Sequence, residues 1–365
     1  MEAISDTPSE AGIEAGARNL LLDCVGMAPG DRLLLVCEDN GGYYDDATPA
    51  AVARVATDLG ARVEMFRHPL LQDDVLPADL GRAIDRHDHT VFFSRVGDQI
   101  RFWKGHEGGT RTMCYALDLD YLGAPFAGLS HAFMEEIKAA LEALIRGAAT
   151  WRMTCPLGTK AEGRIGFGAD SETRAGDFTL RLFPVTTFQP ISCASMSGRV
   201  ALARWLVGTG SRLYDPYVLD LDEVVFAEVE DGRIRGFDGH EPTARRAAAH
   251  YDFVAGKFGI DRDVVHSWHA GINPHTFFSR PAETDLERWA GVAFGSPRYL
   301  HFHTCGDYAP GEICWSLFDC SVWFDDELVW DRGRFAFVDR PAIAALMAHH
   351  GVAADAFDGR PDIGI

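Results

Sequence analysis

The chain has 365 residues, 47% hydrophobic and 24% charged, with 34 basic against 54 acidic side chains and a formal net charge of −20. That length exceeds the usual single hydrophobic core, so two domains are expected, and the composition is that of a soluble globular protein. The acidic excess argues against a nucleic-acid partner and against docking on an anionic membrane, since both need a basic surface.

The first dozen residues are small and acidic and read as a frayed end. From about Ile13 to Ile145 helical and strand patterns alternate. An amphipathic stretch through Asn19-Leu20-Leu21-Leu22 leads to the apolar run Arg32-Leu33-Leu34-Leu35-Val36-Cys37, short and flanked by turn residues, as a buried parallel strand would be. Thr48 is placed to cap a helix through Ala50 to Ala56, stopped at Gly60. Strands follow at Ala61 to Phe66 and Thr90 to Ser94, separated by a helix near Leu80 to Arg86. This is the signature of a doubly wound α/β (Rossmann-like) domain over residues 1–148, closed by a long helix from His131 to Ile145. The loop Glu38 to Asp46 carries acids where a phosphate needs bare amides, and Gly105-His106-Glu107-Gly108-Gly109-Thr110 is no P-loop, so neither reads as a nucleotide site.

Residues 149–365 change character and are expected to form a strand-rich α+β metal-binding domain. Strands are predicted at Thr150 to Thr154, Phe178 to Leu182 and Arg199 to Val207. A hairpin turns at Asp231-Gly232 and another lies in Val322 to Trp330, with one helix from Pro242 to about Ala255.

The chemistry concentrates in Leu300-His301-Phe302-His303. In a strand, positions i and i+2 point to one side, so His301 and His303 can share an ion, and His269 in Trp268-His269-Ala270-Gly271 can supply a third ligand from a neighbouring segment. Such imidazoles suit zinc, iron, copper or nickel better than calcium or magnesium. The eight cysteines are scattered without a Cys-x-x-Cys pair, which disfavours a thiolate zinc site. With no leader-like start and no apolar run of membrane-spanning length, the reading is a cytoplasmic protein with reduced thiols.

In order along the chain stand Cys155-Pro156-Leu157-Gly158-Thr159, Val229-Glu230-Asp231-Gly232-Arg233, Gly271-Ile272-Asn273-Pro274, Gly291-Val292-Ala293-Phe294-Gly295 and then His301 and His303. This series resembles the aminopeptidase T family of metallopeptidases and its relative, 2,5-dihydroxypyridine 5,6-dioxygenase. The resemblance implies a two-domain subunit, a metal site in the second domain facing an interdomain cleft, and homo-oligomerisation. The departures from it are informative. His269 stands where the peptidases place a glutamate, Pro184 to Gln189 offers no acid, and His301-Phe302-His303 replaces a His-x-Asp. A carboxylate-bridged pair of ions cannot be built from that set, whereas a single ion on His269, His301 and His303 can. The dioxygenase relative implies one Fe(II) with a histidine at the His269-like position and an aspartate where this chain has His303.

Losing that anionic ligand leaves the ion more positive and favours an anionic substrate. Alternatively Asp307 or Glu312 restores a carboxylate. The spacing of Gly295, His301, His303 and Asp307 also resembles the first cupin motif, though a cupin would need its remaining histidine downstream rather than at His269; the echo makes Asp307 the favoured fourth ligand or orienting group. For Asp307 and Glu312 the plainer reading is a solvated turn.

Tyr308 is a candidate donor beside the metal and His266 a candidate general base; His250 and His275 are weaker candidates. Arg95 and Arg152 are candidates for holding a substrate carboxylate, with surface ion pairing as the plainer reading. Phe277, Phe278, Trp289, Trp315, Phe318, Trp323 and Trp330 are expected mostly in the core, the rest walling a planar substrate.

Two enzyme readings follow. The leading one is a mononuclear non-heme Fe(II) oxygenase taking O2 and a small aromatic, heterocyclic or amino-acid-derived molecule. The runner-up is a hydrolase with Zn(II) on the same three histidines.

Overall fold

The computed structural model describes residues 8–39, 42–71, 75–100, 109–166, 180–208, 214–306 and 311–365, with the side chains of residues 99 and 100 left aside. Its strands are β1 (Arg32–Asp39), β2 (Arg62–Pro69), β3 (His89–Phe93), β4 (Thr110–Cys114), β5 (Thr150–Thr154), β6 (Lys160–Arg164), β7 (Arg181–Phe183), β8 (Ile191–Ser192) and β9 (Ser197–Gly208). They continue with β10 (Val218–Glu230), β11 (Arg233–Gly239), β12 (Val265–Ala270), β13 (Tyr299–Thr304), β14 (Ile313–Phe318), β15 (Ser321–Phe324), β16 (Glu327–Asp331) and β17 (Arg334–Phe335). The fold is α/β, as the alternation of patterns predicts.

The first sheet is parallel throughout, in the order β2-β1-β3-β4-β7. Leu33 to Val36 of β1 have no solvent exposure, because helices cover both faces of a sheet built from such crossovers. The helix after β1, Ala47–Asp58, is not capped by Thr48. Thr48 is wholly buried and its own amide donates to Asp45 Oδ1 at 2.8 Å, so an aspartate at the end of the preceding loop does the capping.

The second sheet has twelve strands in the order β17-β16-β15-β5-β6-β9-β14-β13-β12-β8, with β10 on β9 and β11 on β10. The hairpin at Asp231-Gly232 has positive φ at both turn residues, 47° and 70°, the geometry that matches strand twist in a two-residue turn. Side chains alternate between the faces. Leu206, Phe302 and Trp315 enter a core shared with the helix His131–Gly147, while Trp205, Val207 and Tyr299 enter the core of the parallel sheet.

Two segments cross the expected boundary at residue 148. The helix His131–Gly147 packs through Phe133, Ile137 and Leu141 with the second sheet, and β7, predicted nearer 178–182 among the later strands, completes the first sheet against β4.

Between the sheets the glycine motifs act as packing points. A side chain on Gly271 would sit 2.0 Å from the carbonyl carbon of Gly295, so the chain after β12 and the turn before β13 approach backbone to backbone. Asn273 ties three segments together, donating at 3.0 Å to the carbonyls of both Phe126 and Pro184 while its amide donates to Gly295 O at 3.0 Å.

Candidate metal centre

β12 and β13 run antiparallel with His269 directly opposite His301, and Ser267 opposite His303. Directly opposed residues of an antiparallel pair share a face, so the i, i+2 pair on β13 and the single histidine on β12 project together. Trp268, Leu300 and Phe302 go the other way into the second core and anchor the strands from behind. The ring centroids lie 4.1 Å apart for His269 and His301, 4.5 Å for His301 and His303, and 5.2 Å for His269 and His303. One ring nitrogen from each falls within 4.8 Å of the others. His269 is buried; His301 and His303 are half-buried. Three neutral nitrogen donors converging at this range match what zinc, iron, copper or nickel accept.

The face carrying the histidines is turned toward the parallel sheet. Phe294, just after the helix Leu286–Ala293, sets its ring edge-on to His301 at 6.4 Å and to Tyr115 at 5.0 Å. Tyr115 follows the last residue of β4, so the cluster lies near the carboxyl end of a parallel strand, where open α/β sheets bind ligands. Its hydroxyl donates to Asp98 Oδ1 at 2.7 Å. The Tyr299 ring lies 5.8 Å from that of His301, and its hydroxyl pairs with Ser316 at 2.9 Å.

Glu312 is not a solvated turn residue. It is 1% exposed and its carboxylate meets His303 Nδ1, because it stands just before β14, whose Cys314 is opposite His303. His303, Glu312 and Cys314 form a second group of possible ligands within 4.8 Å of one another. The sequence carries no signal for Cys314 as a site residue; its place opposite His303 comes from the strand ladder.

The other candidates are placed differently. Asp307 and Tyr308 lie outside the described residues, as do residues 105–108 of the glycine-rich segment. His266 belongs to neither ligand group; its Nδ1 is 3.0 Å from Ser267 Oγ, at an irregularity in the β12–β13 register. His250 sits inside the helix Glu241–Phe258, and burial pushes its pKa down to about 4; burial lowers His275 as well. Trp289, Trp315, Trp330 and Phe278 are core residues.

Neither arginine is held ready for substrate. Arg152 stacks on Trp323, its guanidinium carbon 4.7 Å from the ring centre. Arg95 is buried at the crevice between the carboxyl ends of β1 and β3, where the strand order reverses. Its amide donates to Glu38 Oε2 at 3.1 Å, its Nε to Glu38 Oε1 at 3.0 Å, and its Nη1 to Glu287. Burial opposes the Arg95 charge, but hydrogen bonds and attraction from Glu38, then Glu287, raise its pKa above that of a free guanidinium. Arg288 adds a further clasp, donating at 2.8 Å to the carbonyls of both Gly42 and Tyr43. The crevice that holds a nucleotide in related topologies is thus filled by an ion cluster.

All eight cysteines are free thiols, and no helix among the described residues is long and apolar enough to cross a membrane. No protein-family model matches the sequence, and no curated protein matches it. Solved structures do. The 2,5-dihydroxypyridine dioxygenase of Pseudomonas putida KT2440 superposes with a TM-score of 0.59 at 16% identity, over 89% of this chain and 97% of that one. Wild-type AmpT of Thermus thermophilus superposes with a TM-score of 0.49 at 11% identity, over 89% of this chain and 99% of that one. At 16% identity the likeness to the dioxygenase is one of fold, and that structure corresponds to one of the two families that the motif series resembles. The chain therefore has the α/β fold of the dioxygenase over most of its length and carries a three-histidine group that could hold a metal.

Proposed function

We propose that the chain is a mononuclear non-heme oxygenase whose Fe(II) is held by His269, His301 and His303, acting on a small aromatic, heterocyclic or amino-acid-derived molecule. The observation that carries this reading is the convergence of three imidazole nitrogens within 4.8 Å. Its setting on a fold shared with a dioxygenase supports the same reading. A ferrous ion there would supply redox chemistry and open positions for substrate and O2.

The chain's own residues would do the rest. Three neutral ligands leave the net charge of the ion uncompensated in the inner shell, which favours a phenolate, enolate or carboxylate over a neutral substrate. Phe294 and Tyr299 present ring surfaces beside His301, suited to flank a planar molecule. Asp307 and Tyr308, just after His303 in sequence, are proposed as the groups that meet substrate, with His266 kept as an outer candidate base.

The test is elemental analysis of protein purified anaerobically, followed by oxygen uptake with phenols, hydroxypyridines and modified amino acids. Stoichiometric iron with substrate-dependent oxygen consumption is expected. Stoichiometric zinc without oxygen uptake overturns the oxygenase in favour of a zinc hydrolase, and failure to bind any transition metal overturns both.

A further inference from the structure

Glu312 is held by more than its contact with His303. Thr304, the next residue on β13, faces Ile313 and its hydroxyl donates to Ile313 O at 2.8 Å, while Tyr214 donates its hydroxyl to Glu312 O at 2.9 Å. Tyr214 is itself buried among His250, Phe253 and Phe258. The backbone at Glu312 and at the residue after it is therefore tied down before any ligand arrives. Glu312 Oε1 meets His303 Nδ1, and Oε2 is buried without a hydrogen-bond partner among the described residues. A carboxylate taken out of water at this depth is costly unless a donor or cation compensates it.

An imidazole has two nitrogens, and the bond made by one decides what the other can do. With Nδ1–H donated to Glu312, the lone pair of His303 resides on Nε2.

We propose that Glu312 is the positioning residue of the metal centre: it fixes His303 as the Nδ1–H tautomer with Nε2 as ligand, and supplies through that ring the negative charge that three neutral ligands lack. The inference rests on the three-histidine reading above. It assigns Glu312 a role beside the ligands and not among them, and it makes the centre less cationic than its inner shell suggests.

The test uses the full chain with Glu312→Gln, Glu312→Asp and His301→Ala, titrated with Zn(II) and anaerobic Fe(II) against a competing chelator. Nitrogen-15 NMR of the histidine rings is recorded in metal-free and zinc-loaded protein. Glu312→Gln is expected to weaken metal binding by about 10- to 100-fold, as loss of an outer carboxylate does elsewhere, with Glu312→Asp recovering part of it. The metal-free wild type is expected to show His303 protonated on Nδ1, a preference weakened in Glu312→Gln, whose amide can turn either its oxygen or its NH2 to Nδ1, and the zinc-loaded protein to show metal on Nε2. Zinc on Nδ1 of His303, or a Glu312→Gln protein with wild-type affinity and an unchanged tautomer, overturns the proposal. If His301→Ala also leaves affinity untouched, the three-histidine reading itself fails; if His301→Ala abolishes binding while Glu312→Gln does not, only the role of Glu312 does.

Discussion

Two buried polar clusters face the space between the sheets, and they are built on opposite plans. At the ends of β1 and β3, Arg95 is held between Glu38 and Glu287, so its charge is met by two carboxylates within the cluster. On β12 and β13, three imidazoles face one another, all able to donate an electron pair and none able to neutralise another. A cluster of the first kind is complete without a ligand and acts as a clasp. A cluster of the second kind gains nothing from its own members' proximity, and its geometry is useful when something positive sits among them. The difference separates structural from chemical polar burial within one chain, although both clusters are rich in titratable groups.

Substitutions should break the two clusters in opposite ways. The largest effect is expected from His269→Ala and His301→Ala, which should lower metal affinity by more than the ~100-fold loss seen when outer partners of metal ligands are removed. The thermal midpoint of the metal-free protein should stay close to wild type, and calorimetry with and without zinc reads both quantities. Arg95→Leu should do the reverse. It leaves Glu38, with a side chain 2% exposed, without its cation, for a cost of about 3–5 kcal/mol by urea unfolding and no change in metal affinity. Adding Glu38→Gln to Arg95→Leu should recover part of that loss, since an unpaired buried charge costs more than a missing pair.

A smaller effect concerns a histidine belonging to neither cluster. Folded protein holds His250 neutral down to about pH 4, whereas the unfolded chain takes up the proton near 6.5. The proton therefore favours unfolding, and stability is full above pH 6.5 and declines as pH falls toward 4. Allowing for partial screening, the decline should be about 2 kcal/mol, and His250→Phe should flatten it in urea titrations across that window. The smallest effect is expected from Tyr115→Phe, which removes the hydrogen bond to Asp98 and should cost about 1 kcal/mol without moving metal affinity.

The residues differ in how far the sequence alone exposed them. His301 and His303 are legible because a strand has a period of two, and no packing knowledge is needed to put them on one side. His269 is legible only through its place in a series of motifs, since its position opposite His301 depends on strand pairing across 32 residues. The cupin-like spacing favours Asp307 over Glu312, and a loop has no periodicity to say which acid turns inward. The clasp of Arg95 was invisible: Glu38 is 57 residues away in sequence and Glu287 is 192 away. The alternating helices and strands of the first half were readable from apolar runs. That β7 belongs with them was not, since three residues carry too little pattern to choose a sheet.

That placement of β7 has a bearing on how the chain is made. Thr112 of β4 pairs with Arg181, so until the later segment leaves the ribosome β4 presents an open edge. The β5–β6 hairpin, which belongs to the other sheet, is synthesised before that edge can close. A nascent chain paused near residue 165 would therefore expose a partly formed strand ladder to any neighbouring extended segment, a situation that invites wrong pairing.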